Sequence, residues 1–240
     1  MNQDDNTQTP APPEENIPAP ELLTVPFEDR SKDFFTGFFE TIKLVLFQPS
    51  AFFRNYKLDG SVGRPILFAV IIGWIAMAVG MFWSWVLRQS LFTLLQEHFP
   101  DIEGFDYDQI SSSWAHQGLA SFFTLILGPV IIVIGLFIIS GIYHLVLMMV
   151  KGANKNFETS FNVVAYGSVS RIGELLPICG GLISFLYGII LAIIGLTEAH
   201  KTDSWKAVVA VLGPIILCCM CCVMIVVIAG GTGFLATINH

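Results

Sequence analysis

The sequence predicts an all-α protein, a polytopic membrane bundle of five transmembrane helices preceded by an N-terminal interfacial amphipathic helix. Hydrophobic residues make up 54 % of the chain and charged residues 13 %, against roughly 25 % charged in an ordinary soluble domain. The apolar residues arrive in blocks, among them "PILFAVIIGWIAMAVGMFWSWVL" and "AVVAVLGPIILCCMCCVMIVVIAGGTGFLATI", each long enough to cross a bilayer, which takes about 20 residues at about 1.5 Å each. One block, Phe161 to Leu196, is broken by only two charges, Arg171 and Glu174.

The first 29 residues hold seven carboxylates, six prolines and no Lys or Arg. They have too little apolar surface to offset the entropy of ordering them, so residues 1–30 are expected to be a disordered acidic tail. No basic n-region followed by an apolar h-region is visible, and membrane insertion is expected to rely on the first spanning helix. The net charge of -7 comes largely from this tail, and so little basic charge argues against a nucleic-acid partner.

Residues 31–64 form the next unit. "SKDFFTGFFETIKLVLFQPSAFFRNY" puts Phe34, Phe35, Phe38, Ile42, Val45 and Leu46 on one helical stripe, with Pro49 ending the helix. Such a helix lies in the headgroup plane or packs against the bundle. Residues 65–234 are expected to hold the five crossings. Helix 1 runs from about Pro65 to Leu87 and helix 2 from about Leu119 to Val150, with a bend expected at Gly128 and Pro129. The block from Phe161 to Leu196 would make about 54 Å of continuous helix, nearly twice the hydrocarbon thickness. Pro177, Gly180 and Gly181 mark a reversal within it, giving helix 3 over Phe161–Leu176 and helix 4 over Gly181–Leu196. Helix 5 runs from about Ala207 to Gly230. If residues 161–170 stay at the surface instead, four spans result.

Charge sets the orientation. Lys43, Arg54, Lys57 and Arg64 precede helix 1, and Lys151, Lys155, Lys201 and Lys206 fall in two later loops, whereas Glu97, Asp101, Glu103, Asp106 and Asp108 lie between helices 1 and 2. The protein is expected to be a multi-pass cell-membrane protein, and by the positive-inside rule its N-terminus is expected in the cytoplasm and, with five spans, its C-terminus outside.

Cys218, Cys219, Cys221 and Cys222 sit about 18 Å into helix 5, too deep for acylation beside the membrane surface. Four side chains along one rigid helix cannot converge on one zinc ion, so they are expected to be small apolar residues, and no metal or cofactor is expected. Gly73 and Gly80, Gly128 and Gly135, and Gly181, Gly188 and Gly195 recur every seven positions. That spacing gives three helices a shallow seam for close approach, in a compact bundle or a homo-oligomer.

The stretch "AYGSVSRIGELLPICGGLISFLYGIILAIIGLTEAHKTDSWKAVVAVLGP", residues 165–214, resembles the Yip1-domain family of polytopic membrane proteins. The likeness lies in Ala165, Tyr166 and Gly167, in Pro177 with Gly180 and Gly181, in Gly195 followed by Glu198 and His200, and in Lys206, Ala207 and Pro214. "QPSAFFRNY" and "YHLVLMMVKG" extend it upstream. The resemblance implies five spans and a cytoplasmic N-terminus. Its eukaryotic members are associated with vesicle trafficking and small GTPases, but the "DLYGP" motif of those proteins is absent here, so the resemblance does not carry over a GTPase partner. Ser170 stands where many bacterial relatives have Pro, which bears on the local bend.

No Ser/His/Asp grouping, H-E-x-x-H, phosphate loop or nucleotide fingerprint occurs. The candidate polar site consists of Arg171 and Glu174, three apart on one helical face, with His144 and Tyr166 as the groups they would point toward. Bare charges at that depth are costly, so the pair should face the bundle interior. Glu198 and His200 are expected in a cytoplasmic loop. These features favour a non-enzymatic scaffold or adaptor that organises membrane lipids or a membrane protein partner. A small transporter or channel built on Arg171, Glu174 and His144, and a lipid-modifying enzyme, are the alternatives.

Overall fold

The computed structural model describes residues 22–58, 60–98 and 107–238. It is helical, and among these residues the one β-type pairing is an isolated bridge between Leu23 and Tyr56. The helices are α1 (Phe34–Phe47), α2 (Pro49–Asn55), α3 (Gly63–His98), α4 (Tyr107–Met149), α5 (Phe157–Gly167), α6 (Gly180–His200) and α7 (Ser204–Ile238), with a 3-10 helix at Ser168–Leu175 between α5 and α6. Most of the expected acidic tail, residues 1–21, lies outside the described residues, as do Asp101, Glu103 and Asp106. The end of that tail is ordered, which corrects its boundary: Val25 and Phe27 are buried against Phe38 and Phe68, with ring centroids of Phe27 at 5.7 and 5.5 Å from theirs. Two aromatic or branched side chains supply the apolar burial that the carboxylate-rich stretch before them lacks.

α1 starts where the Asp33 carboxylate accepts the backbone N–H groups of Phe35 and Thr36, satisfying two of its orphan donors. Gln48 closes it and Pro49 opens α2 at a position where a missing N–H costs nothing. The expected apolar stripe divides. Phe38 and Val45 of the stripe are buried in the main core, whereas its Phe34 and Phe35 are exposed, as are Phe39 and Phe47 outside it. Tyr187 of α6 donates its hydroxyl to the Leu46 carbonyl, and Phe53 of α2 packs beside Gly195. Thus α1 and α2 dock on the bundle through one face and present phenylalanines on the other.

Among the described residues, four helices are long and apolar enough to cross a membrane: Gly63–His98, Ala120–Met149, Gly180–His200 and Ser204–Val227. α4 and α7 continue as helices through Pro129 and Pro214. The expected helix 3, Phe161–Leu176, is not one continuous helix. It begins earlier, at Phe157, and becomes 3-10 at Ser168. Gly167 and Gly173 bracket the break, because glycine loses the most backbone freedom in a helix and so weakens it.

α5 and its 3-10 extension run alongside α3. The ring of Tyr166 is 5.2 Å from that of Phe68, Arg171 lies against Gly73, and Trp83 donates its indole N–H to the Leu175 carbonyl at 3.1 Å. α6 then returns antiparallel. A Cβ on Gly180 would sit 2.5 Å from the Gly173 carbonyl oxygen, and one on Gly195 would sit 2.5 Å from Val163, so both ends of this contact require glycine. The reversal carries Ile178 at φ 67°, a backbone region costly for a β-branched residue.

α4 and α6 end alike, and at the same end of the bundle. Lys151 and Lys201 take left-handed conformations, Gly152 donates to the Leu147 carbonyl and Thr202 to the Thr197 carbonyl. This is the six-to-one closure that satisfies orphan carbonyls, with a lysine at the negative end of each helix dipole. Asn154 reaches the Lys201 carbonyl, tying the two termini together.

Candidate functional site

The sequence-predicted polar residues separate into three groups around α5. The first is the ion pair: Arg171 Nε donates to Glu174 Oε1 at 3.0 Å, with the side chains 35 % and 24 % exposed. Both belong to the 3-10 helix, where residues three apart eclipse and a short Arg-to-Glu contact is geometrically natural. The pair lies between α3 and α6, with Arg171 against Gly73 and Glu174 against Gly180.

Tyr166 does not join that pair. Its hydroxyl donates to Glu28 Oε1 at 2.5 Å, while its ring is buried among Phe52 and Phe68. Burial holds the Glu28 carboxyl above its ordinary range, opposed by the Tyr166 hydrogen bond and by Arg64 and Lys57. Asn162, one turn earlier on α5, donates its amide to the Leu58 carbonyl at 2.7 Å. The buried helix therefore carries two polar anchors for the segment that precedes α3.

His144 also lies apart from the ion pair and joins His200 instead. His200 was expected in a cytoplasmic loop with Glu198. Both belong to the last turn of α6, and the loop shrinks to three residues because the helix closes only at Lys201. His200 is fully buried, and Glu198 lies 4.0 Å from Arg54 of α2. Ser160 of α5 stands between the two imidazoles, its Oγ 2.8 Å from His200 Nε2 and 2.8 Å from His144 Nδ1. The protons follow from the partners. His200 Nδ1 accepts the Lys155 backbone N–H at 3.2 Å, so the neutral ring carries its proton on Nε2 and donates to Ser160. Ser160 then donates its single proton to His144 Nδ1. Sequence reasoning missed Ser160, whose signal, a serine three residues after Phe157 on a largely buried helix, is no different from that of a packing residue.

A cavity of about 770 Å³ lies between the helices, within the usual range of small-molecule sites, roughly 300–1,000 Å³. α4 supplies Ile132, Leu136 and Ile139, and α7 supplies Pro214 and Cys218, while Ser168, Ser170, Arg171 and Ser184 give its polar part. Ser184 is 7 % exposed, and the hydroxyls of Ser168 and Ser184 have no hydrogen-bond partner. The four cysteines of α7 are exposed free thiols. Among the described residues, no three His, Cys, Asp or Glu side chains are grouped to hold a metal ion.

A bundle of apolar, membrane-length helices around a buried, broken segment with an internal ion pair defines a multi-pass integral membrane protein. The Yip1 domain matches residues 43–226, most of the chain, and the protein belongs to the Yip1 domain family. No curated protein and no solved structure matches it.

Proposed function

We propose that the protein is a non-enzymatic membrane scaffold or adaptor, with α5 and its 3-10 extension as an enclosed fifth crossing and residues 22–58 as a cytoplasmic platform fixed to it. The observation that carries this reading is the set of contacts from the platform to α5 and α6: Tyr166 to Glu28, Asn162 to Leu58, Tyr187 to Leu46 and Phe53 to Gly195. They hold the aromatic face of α1 in a fixed relation to the membrane bundle, as a docking element requires.

Length supports the fifth crossing. Eleven α-helical and eight 3-10 residues rise about 32 Å at about 1.5 and 2.0 Å each, close to a hydrocarbon core of about 30 Å. The ends support it too. Phe157 lies beside His144, near the C-terminal ends of α4 and α6, so the chain has to reach the far end before α6 can return. Lys151, Lys155, Lys201 and Lys206 cluster at the near end, which favours a cytoplasmic N-terminus and an extracytoplasmic end for α7 in the cell membrane.

Photo-crosslinking amino acids placed at Phe35 and Phe39 in cells test the platform. A discrete protein adduct at both positions, lost when Phe53→Ala loosens the platform, is the expected result. Adducts to lipid alone would replace the adaptor reading with one of membrane anchoring. The transporter reading has one specific observation in its favour, the broken segment with its ion pair beside the cavity, a form used at transport sites. Flux of a lipid or amphiphile in proteoliposomes, abolished by Arg171→Leu, would establish it over the scaffold.

A further inference from the structure

We propose that the open cavity between α4, α6 and α7 seats one acyl chain of a bilayer glycerophospholipid, with an ester carbonyl of that lipid held by Arg171 and Ser184. The site is distinct from the platform, and its occupancy is independent of any protein partner. Three features define the ligand. The walls contributed by α4 and α7 are apolar, with Ile132, Leu136, Ile139 and Pro214 facing the space, which suits a hydrocarbon chain. At the polar part, the hydroxyls of Ser168 and Ser184 lack partners, although a buried polar group is normally hydrogen-bonded. Arg171 uses Nε for Glu174, and among the described residues its terminal guanidinium nitrogens carry no hydrogen bond. Arg171 thus offers unused donors at the cavity wall, and a turn of the Ser184 side chain, whose hydroxyl now lies against Gly173, brings a further donor to the same space.

Charge selects the acceptor. Arg171 and Glu174 neutralise each other at 3.0 Å, so a fatty-acid carboxylate or a phosphate would bring an uncompensated negative charge into apolar surroundings at a steep desolvation cost. An ester carbonyl accepts the same hydrogen bonds and adds no charge. It is also the acceptor that a diester glycerophospholipid carries at the head of each of its chains. Gly135 faces the cavity with nothing within 4 Å of where a Cβ would lie, leaving room for the chain against α4.

The test uses the full-length protein in nanodiscs of dioleoyl phosphatidylcholine containing a trace of phosphatidylcholine with a photoactivatable acyl chain. Peptide mapping should find the label at Ile132, Leu136 and Ser184. Unlabelled diester lipid should compete about tenfold better than its diether counterpart, which lacks the carbonyl, in keeping with the loss of a hydrogen bond to a charged donor. Ser184→Ala should narrow that difference, and Gly135→Leu, which fills the space, should remove the cavity label while leaving label on outward residues such as Ile138 and Ile225. Label confined to those outward residues would overturn the proposal. So would equal competition by diester and diether lipids, or displacement by oleate more readily than by the diester lipid. Should Gly135→Leu fail to fold, the diester and diether comparison on the unmodified protein still decides.

Discussion

Removing one charge of the Arg171 and Glu174 pair should damage the fold more than removing both. The gross attraction at 3.0 Å is about 5 kcal/mol at an effective dielectric constant near 20, and much of it is offset by taking the two groups out of water. Partial exposure of both side chains, 35 % and 24 %, lowers the net figure further. We expect Arg171→Leu and Glu174→Leu each to cost about 2–3 kcal/mol, because each strands a charge beside α3 and α6, and the double substitution to cost about 1 kcal/mol. Thermal unfolding of purified protein in detergent micelles reads this as a double-mutant cycle. On the scale of a soluble domain of this length, the single changes lower Tm by about 5–10 °C and the double change recovers more than half of that. Strictly additive losses, or Tm values unchanged in all three variants, would refute the reasoning and place the pair in contact with headgroup water.

Ser160→Ala should destabilise the junction of α4, α5 and α6 by about 1–3 kcal/mol, since His144 and His200 each lose a buried hydrogen-bond partner; the check is a lower Tm that Ser160→Thr restores in part. Gly180→Ala places a methyl group against the Gly173 carbonyl oxygen, a backbone atom that cannot step aside, and should cost about 1–3 kcal/mol in the same assay. The docking of residues 22–30 should weaken as pH rises. Glu28 has a folded-state pKa raised by burial, so its contribution is complete below the ordinary carboxylate range and is lost as pH rises through the raised folded value. Hydrogen exchange of that segment, compared with Glu28→Gln at each pH, should show the difference between the two proteins growing across that window.

The apolar blocks were legible because a spanning helix must satisfy its backbone internally and clothe it in hydrocarbon, so α3, α4, α6 and α7 are written as runs of apolar residues. The ion pair was legible for the complementary reason. Two charges in such a run have few neutral explanations, and three-residue spacing pairs them in either helix type. α5 was harder, because a helix enclosed by protein is free to carry Thr159, Ser160, Asn162 and Tyr166, and these dilute the apolar signal that marks a lipid-facing span. The partners of His144, His200 and Tyr166 were not legible at all. They come from Ser160, Lys155 and Glu28, brought together by helix–helix register, and Glu28 lies in a segment whose carboxylates and prolines read as a tail until Val25 and Phe27 are seen in the core. Likewise the end of α6 depends on a left-handed Lys201, a position for which glycine is the usual marker.

The native Cys179, exposed in the reversal between the 3-10 helix and α6, reports most directly on the enclosed crossing. In intact cells producing the protein with Cys218→Ala, Cys219→Ala, Cys221→Ala and Cys222→Ala, a membrane-impermeant maleimide should modify Cys179 from the outside, whereas a cysteine introduced at the exposed Asp203 as Asp203→Cys should react only after the membrane is opened. Cys179 protected in intact cells and modified only after permeabilisation, together with Asp203→Cys, would place both ends of α6 on the cytoplasmic side and contradict the fifth crossing.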